Sequence, residues 1–189
     1  MSEPLKSNHH KIIDYAFHPE KNDLLDIWFF ANSTGSISTS TGIDSVSHLY
    51  GIPMLFVNQF AFRHLKTSHH SLTIPKNCIW TENKNKLKLG EMFSINSTNS
   101  ITLRNEGVEI VDLDEDEILT AVKEYWLRLM HKWVDNDETI LLQKQFWSWW
   151  DRNNPKLFDK TYHGLLHPES RVGTDWLKAQ NDDFFDDIV

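Results

Sequence analysis

Between residues 36 and 58 the apolar and polar positions predict a strand, a turn, a helix and a second strand. Ile37 marks the first strand, and Ser38, Thr39, Ser40, Thr41 and then Gly42 follow it. Beyond the glycine, Ile43, Val46, Leu49 and Tyr50 recur at the spacing of one helix face. Gly51 suits the C-terminal cap of that helix, and Pro53 prevents its continuation. Met54 to Val57 is an unbroken apolar run, as a parallel strand covered on both faces requires.

The same reading extends in both directions. Pro19, Asn22 and Asp23 signal a helix start, and Leu24, Leu25, Ile27, Trp28 and Phe29 predict a strongly buried helix running to about Ala31. Residues 60–74 keep no steady period and read as a long loop, with a strand-like piece at 75–80. The Asn-, Lys- and Ser-rich stretch 81–103 reads as a surface excursion anchored by Leu87, Leu89, Met92, Phe93 and Ile95. Residues 108–112 are expected to form the last strand of the sheet. Asp112 or Asp114 then caps a helix whose apolar set, from Ile118 through Trp126 to Trp133, holds helical spacing. A second helix follows Asp135-Asn136-Asp137 and buries Ile140, Leu141, Phe146, Trp147, Trp149 and Trp150, ending at Asn153-Asn154-Pro155. A last element at 172–183 carries Trp176 and Leu177.

Helix, strand, turn, helix and strand in alternation imply an α/β fold, a partial Rossmann-like parallel sheet with flanking helices. The expected organisation is a flexible start at 1–11, the α/β portion at 12–134, and a tryptophan-rich helical C-terminal extension at 135–189. A chain of 189 residues is long enough to bury a core without disulfides or metals. The formal charge of −8 argues against a nucleic-acid partner, because that affinity comes from clustered Lys and Arg. A single cysteine, Cys78, excludes an internal disulfide and fits a reducing cytoplasm. The longest early apolar run, Ile27 to Ala31, is too short for a signal peptide or a spanning helix. A cytoplasmic location follows, with attachment to the inner-membrane surface through a partner left open.

The chemistry concentrates at the hydroxyl turn. Ser40, Thr41 and Gly42, with the amides of Ile43 and Asp44, sit at a predicted helix N-terminus, where unpaired N–H groups favour an anion such as a diphosphate. The same hydroxyls serve equally as ordinary helix caps. Asp44 falls in the first turn, where its charge suits the helix but repels a phosphate, so it reads as a cap or as a sugar-hydroxyl contact. Asn58 and Gln59 stand at the carboxyl end of a predicted strand, the edge where open α/β sheets bind ligands. Arg63 and Lys66 on the following loop are candidates for phosphate neutralisation. No metal is expected. His163 and His167 are separated by Gly164, which breaks the helix that would align them, and His9-His10 and His69-His70 are adjacent pairs whose side chains diverge. There is no Ser-His-Asp order, Walker loop or Gly-x-Gly-x-x-Gly.

Ile13-Asp14-Tyr15-Ala16, Leu25-Asp26, Ser40-Thr41-Gly42, Tyr50-Gly51-Ile52-Pro53 and Val57-Asn58 come in an order and spacing that resemble a bacterial family of glycosyltransferases with a GT-B-type fold. Phe146-Trp147 followed by Arg171-Val172-Gly173 extends the likeness to the tail, and the central turn is more distantly similar to heptosyltransferases. The resemblance implies transfer of a sugar from a nucleotide-activated donor to a cell-surface glycan or related acceptor, with no cofactor. In that fold the C-terminal domain holds the donor, and an N-terminal domain supplies most acceptor contacts and usually the base. Against that pattern the chain is expected to begin inside the C-terminal domain. It would then be a fragment, one part of a split enzyme working with a separate acceptor-domain chain, or a catalytically silent remnant that docks on a partner subunit through its tryptophan-rich helices.

Overall fold

In the computed structural model, residues 3–7, 9–60, 62, 65, 67, 70–153 and 167–186 are described. After a single 3-10 turn at Tyr15–Phe17 the chain forms α1 (Asp23–Asn32), β1 (Ser36–Ser38), α2 (Asp44–Leu49), β2 (Met54–Gln59), β3 (Ser71–Pro75) and β4 (Asn77–Trp80). It continues with α3 (Leu89–Ser94), α4 (Ser100–Asn105), β5 (Val108–Val111), α5 (Glu115–Leu129), α6 (Asp137–Asn153), β6 (Arg171–Val172) and α7 (Thr174–Lys178). The fold is α/β. Four parallel strands run in the order β1-β2-β3-β6, while β4 and β5 form a separate antiparallel pair.

β2 is central because it is apolar on both faces. Its side chains alternate, so Leu55 and Val57 join the large core cluster that also holds Ala121 and Tyr125 of α5, while Met54 and Phe56 are buried on the opposite face. On that opposite face lies α2, whose Ser47 meets Ser36 of β1 through a hydroxyl–hydroxyl hydrogen bond of 3.2 Å. Helices therefore cover the sheet on both sides. Tyr125 fixes α5 over the other face by donating from Oη to the Pro53 carbonyl at 2.8 Å. Burial pushes the Tyr125 phenol up to about 12.

The helix ends follow local chemistry. Asn22 caps α1 by accepting from the Leu25 amide, and Asp114 and Glu117 make a reciprocal capping box at the start of α5. At the end of α2, Gly51 takes φ +69°. Its amide donates to the His48 carbonyl and that of Ile52 donates to Ser47, a Schellman arrangement that a side chain at position 51 would strain.

Several expectations from the sequence are corrected. α1 buries none of its residues: Leu24 is 75% exposed and Trp28 53%. In α2 the apolar face points outward, with Leu49 80% and Tyr50 62% exposed, while Asp44 and Ser47 are the buried members. Residues 108–111 do not end the parallel sheet but pair with β4. The 81–103 stretch folds into α3 and α4 and gives the core Leu87, Leu89, Met92 and Leu103, all nearly inaccessible.

The described part of the stretch expected as an extension, residues 135–153 and 167–186, is not an appendage. Phe146, Trp149 and Trp150 lie in the same core cluster as Leu55 and Val57, and β6 is a strand of the central sheet, pairing with β3 through Leu72–Arg171 and Thr73–Val172. Ile140 and Leu141, expected inside, are 54% and 55% exposed. Glu124 ties this C-terminal part down. Its buried carboxylate accepts from Thr174 N (2.9 Å), Thr174 Oγ1 (3.0 Å) and Arg128 Nε (2.9 Å). Arg128 continues to Asp135, which also accepts from Trp133 Nε1. Burial works against the Asp135 charge, but the hydrogen bonds from Arg128 and Trp133 outweigh it and hold the carboxyl below its usual range. Cys78 is free and buried, and desolvation raises its thiol to about 12.

Candidate functional site

All four parallel strands point their carboxyl ends to one edge, where the backbone of an open α/β sheet is free to meet a ligand. β1 runs into the hydroxyl turn there. Ser40 takes φ +69°, a left-handed conformation uncommon outside glycine, and its amide donates to Ser38 Oγ at 3.1 Å. Thr41 and Gly42 are exposed, and a Cβ added at Gly42 would meet nothing within 4 Å. Beside the turn lies an open cleft of about 310 Å³ lined by Phe30, Ile37, Ser38, Thr39, Thr41, Ile43, Asp44 and Val57.

Asp44 folds its side chain back onto the turn that precedes it. Its carboxylate, 5% exposed, accepts from the Thr41 amide (2.6 Å) and from Thr41 Oγ1 (3.3 Å), and so already occupies two donors assigned to a phosphate. The carboxylate holds the turn in shape. The remaining candidate donors are the amides of Gly42 and Ile43, which make no hydrogen bond among the described residues, and the hydroxyls of the exposed Thr39 and Ser40. α2 is six residues long, so its dipole adds little, and an anion here depends on these individual donors. Thr39, part of the hydroxyl run 38–41, lines the cleft beside the turn and joins the candidate donors.

Asn58 and Gln59 do lie at the same edge, at the end of β2, but both face inward duties. Asn58 takes φ +54° where the β2–β3 register shifts, and its Oδ1 accepts from the Leu113 amide at 2.8 Å. It thus anchors the loop that enters α5. Gln59 is 2% exposed, with Nε2 3.3 Å from the Phe60 carbonyl and Oε1 buried without a partner among the described residues. Left-handed backbone at Ser40 and at Asn58, ending adjacent strands, marks this edge as a place where ordinary geometry is given up. Arg63 and Lys66 lie outside the described residues, as does His163.

A second cleft, of about 280 Å³, opens at the ends of β3 and β6 between α5 and α7. Ile74, Leu113, Ala121 and Trp176 form its apolar wall, and Asp116 and Asp175 stand on its rim. Those carboxylates disfavour a phosphate. Among the described residues no group of three or more His, Cys, Asp and Glu side chains is placed to hold a metal ion. No described helix is long and apolar enough to cross a membrane.

No protein-family model, curated protein or solved structure matches the chain.

Proposed function

We propose that the chain is the donor-binding portion of a GT-B-type glycosyltransferase, which takes a sugar from a nucleotide-activated donor for a cell-surface glycan or related acceptor. The observation that carries this reading is the turn at Gly42: open on its glycine side, at the carboxyl edge of a parallel sheet, with free amides and hydroxyls beside a cleft. When the sugar–phosphate bond breaks, negative charge grows on the departing diphosphate. Donors fixed in advance stabilise that charge without reorganising. Gly42 N, Ile43 N, Thr39 Oγ1 and Ser40 Oγ would supply them. Asp44 acts as a positioning residue that keeps Thr41 folded back, and its charge confines phosphate to the Gly42 side of the turn. In a GT-B-type enzyme another domain would supply the acceptor contacts and the catalytic base, and the work would be done in the cytoplasm, at or near the inner membrane.

Calorimetric titration with nucleoside mono- and diphosphates and their sugar esters tests this. Binding is expected in the wild type and absent in Gly42→Asp, with the melting temperature of the variant unchanged because the new side chain enters open space. No binding at millimolar nucleotide, or equal binding in the variant, refutes the reading.

A second reading, a catalytically silent docking module, is favoured by a different surface from the one expected. Trp149 and Trp150 are 3% and 0% exposed and belong to the core, so they offer nothing to a partner. Exposed apolar side chains stand on α1, β1 and α2, among them Leu24, Trp28, Ile37 and Leu49, and also on α5 and α6, among them Trp126 and Ile140.

A further inference from the structure

The cleft at the ends of β3 and β6 has a wall and a rim of opposite character. Ile74 near the end of β3, Leu113 before α5, Ala121 on α5 and Trp176 on α7 are all buried, yet about 280 Å³ stays open between them. Packed interiors leave few voids larger than a water molecule, and pockets for small ligands begin near this size. The walls are held in place. Asn58 Oδ1 accepts from the Leu113 amide at 2.8 Å, and Glu124 ties the start of α7 to α5 through the amide and hydroxyl of Thr174. Trp176 packs on Phe62 and Phe184, with ring centroids 6.0 and 5.7 Å away. The open space is therefore framed by fixed contacts on each side.

Charge decides what fits there. The charged side chains that line the cleft are Asp116, Glu117, Glu124 and Asp175, all acidic. Glu124 is occupied by Thr174 and Arg128, and Glu117 by the Asp114 amide and Asn77 Nδ2. Asp116 and Asp175 are exposed and meet no hydrogen-bond or ion-pair partner among the described residues. Their places in the first turns of α5 and α7 suit the helix dipoles, but the dipole leaves a carboxylate free to accept hydrogen bonds. An anion finds little here. The amides of Asp114 and Glu117 are taken by the capping box, and that of Thr174 by Glu124.

We propose that this cleft binds a small organic cation: a primary ammonium group on a single-ring or short alkyl body. The body lies against Ile74, Leu113, Ala121 and Trp176, and the ammonium meets the carboxylates of Asp116 and Asp175. A primary ammonium carries three donors and no acceptor, which matches a rim of free acceptors, and its apolar body brings no polar group against the wall. The formal charge of −8 on the chain attracts a cation from a distance as well. This site goes beyond sugar transfer and does not depend on it.

Benzylamine, protonated at neutral pH, tests the proposal beside benzyl alcohol and benzoate, which keep the ring and change the polar group. Nuclear magnetic resonance of the isotope-labelled full chain follows the indole N–H signals, with that of Trp176 assigned by its loss in Trp176→Phe. Benzylamine is expected to shift the Trp176 signal saturably with a Kd on the order of 1 mM. Because each exposed ion pair is worth up to about fivefold, the amine should bind roughly tenfold tighter than the alcohol, and benzoate should give no saturable shift. Asp116→Asn combined with Asp175→Asn, both at exposed positions, is expected to abolish the preference for the amine while leaving alcohol binding and the circular dichroism spectrum unchanged. Ala121→Met, which fills the cleft from its apolar wall, is expected to weaken amine and alcohol alike. Equal binding of amine and alcohol, a preference that survives the double variant, or a Trp176 signal that benzylamine does not move overturns the proposal. Nucleotide titration of wild type and Gly42→Asp reads the sugar-transfer proposal separately.

Discussion

Gly35, between α1 and β1, is the position where the least added volume does the most damage. A Cβ there would lie 2.2 Å from Tyr125 Oη, 2.9 Å from Leu129 Cδ1 and 3.1 Å from Tyr125 Cζ. The phenol cannot swing aside cheaply, since Tyr125 is 6% exposed and its hydroxyl is bonded to the Pro53 carbonyl at 2.8 Å. Relief must come from pushing the ring off that bond. Overpacking of a closed site costs about 1–3 kcal/mol, and stranding a buried hydroxyl adds roughly 1–3 kcal/mol. Gly35→Ala is therefore expected to lose about 2–4 kcal/mol, a fall in melting temperature on the order of 5–15 °C for a domain of this size. The companion variant Tyr125→Phe removes the atom at 2.2 Å and on its own costs about 1–2 kcal/mol. If the clash is the cause, the double variant is less destabilised than the sum of the singles by at least about 1 kcal/mol. Thermal and urea unfolding of the four proteins decides it. A Gly35→Ala protein within a degree of wild type, or strict additivity, refutes the reasoning.

Two further outcomes follow from the C-terminal half. Glu124→Ala removes the acceptor of Thr174 N and Oγ1 and leaves Arg128 with Asp135 alone, so urea midpoints should report a loss of about 3–5 kcal/mol, the cost of breaking a buried pair, and a loss below 1 kcal/mol would show the network to be dispensable. His70 stacks on His167 with ring centroids 6.2 Å apart, and burial first, then the charges of His167, Arg171 and Arg128, lower its pKa below 6.5 despite the opposing pull of Glu169. Between the folded value and 6.5 the unfolded chain binds more protons than the folded one, so stability rises with pH in that window. The melting temperature should begin to fall as pH drops through about 6.5, and His70→Phe should flatten that slope; an unaltered slope in the variant assigns it to other groups.

What the sequence determined by itself was local. Tyr50-Gly51-Ile52-Pro53 specifies a helix stop because only glycine reaches a left-handed cap without strain, and Gly51 is found in that conformation. The unbroken run Met54 to Val57 specifies a strand buried on both faces, and Asp114 with Glu117 specifies the start of α5. The hydroxyl turn was legible for the same reason, since its position at a strand end depends on the residues beside it.

Tertiary structure decided what neighbours in sequence could not. The periodicity of α2 pointed Leu49 and Tyr50 inward, yet Asp44 and Ser47 are buried, because hydrogen bonds to Thr41, Ser36 and the Phe30 carbonyl satisfy their polar atoms there. Residues 171–172 carry no strand signal of their own, and become one only by pairing with β3 about a hundred positions earlier, where Ser71 and Ser170 share a hydroxyl contact. Beside that pairing Trp149 and Trp150 of α6 lie in the core, and Gln143 bonds the Val172 backbone. Whether a polar group is inside or outside depends on partners that only the folded chain brings within reach, and the order of residues does not state them.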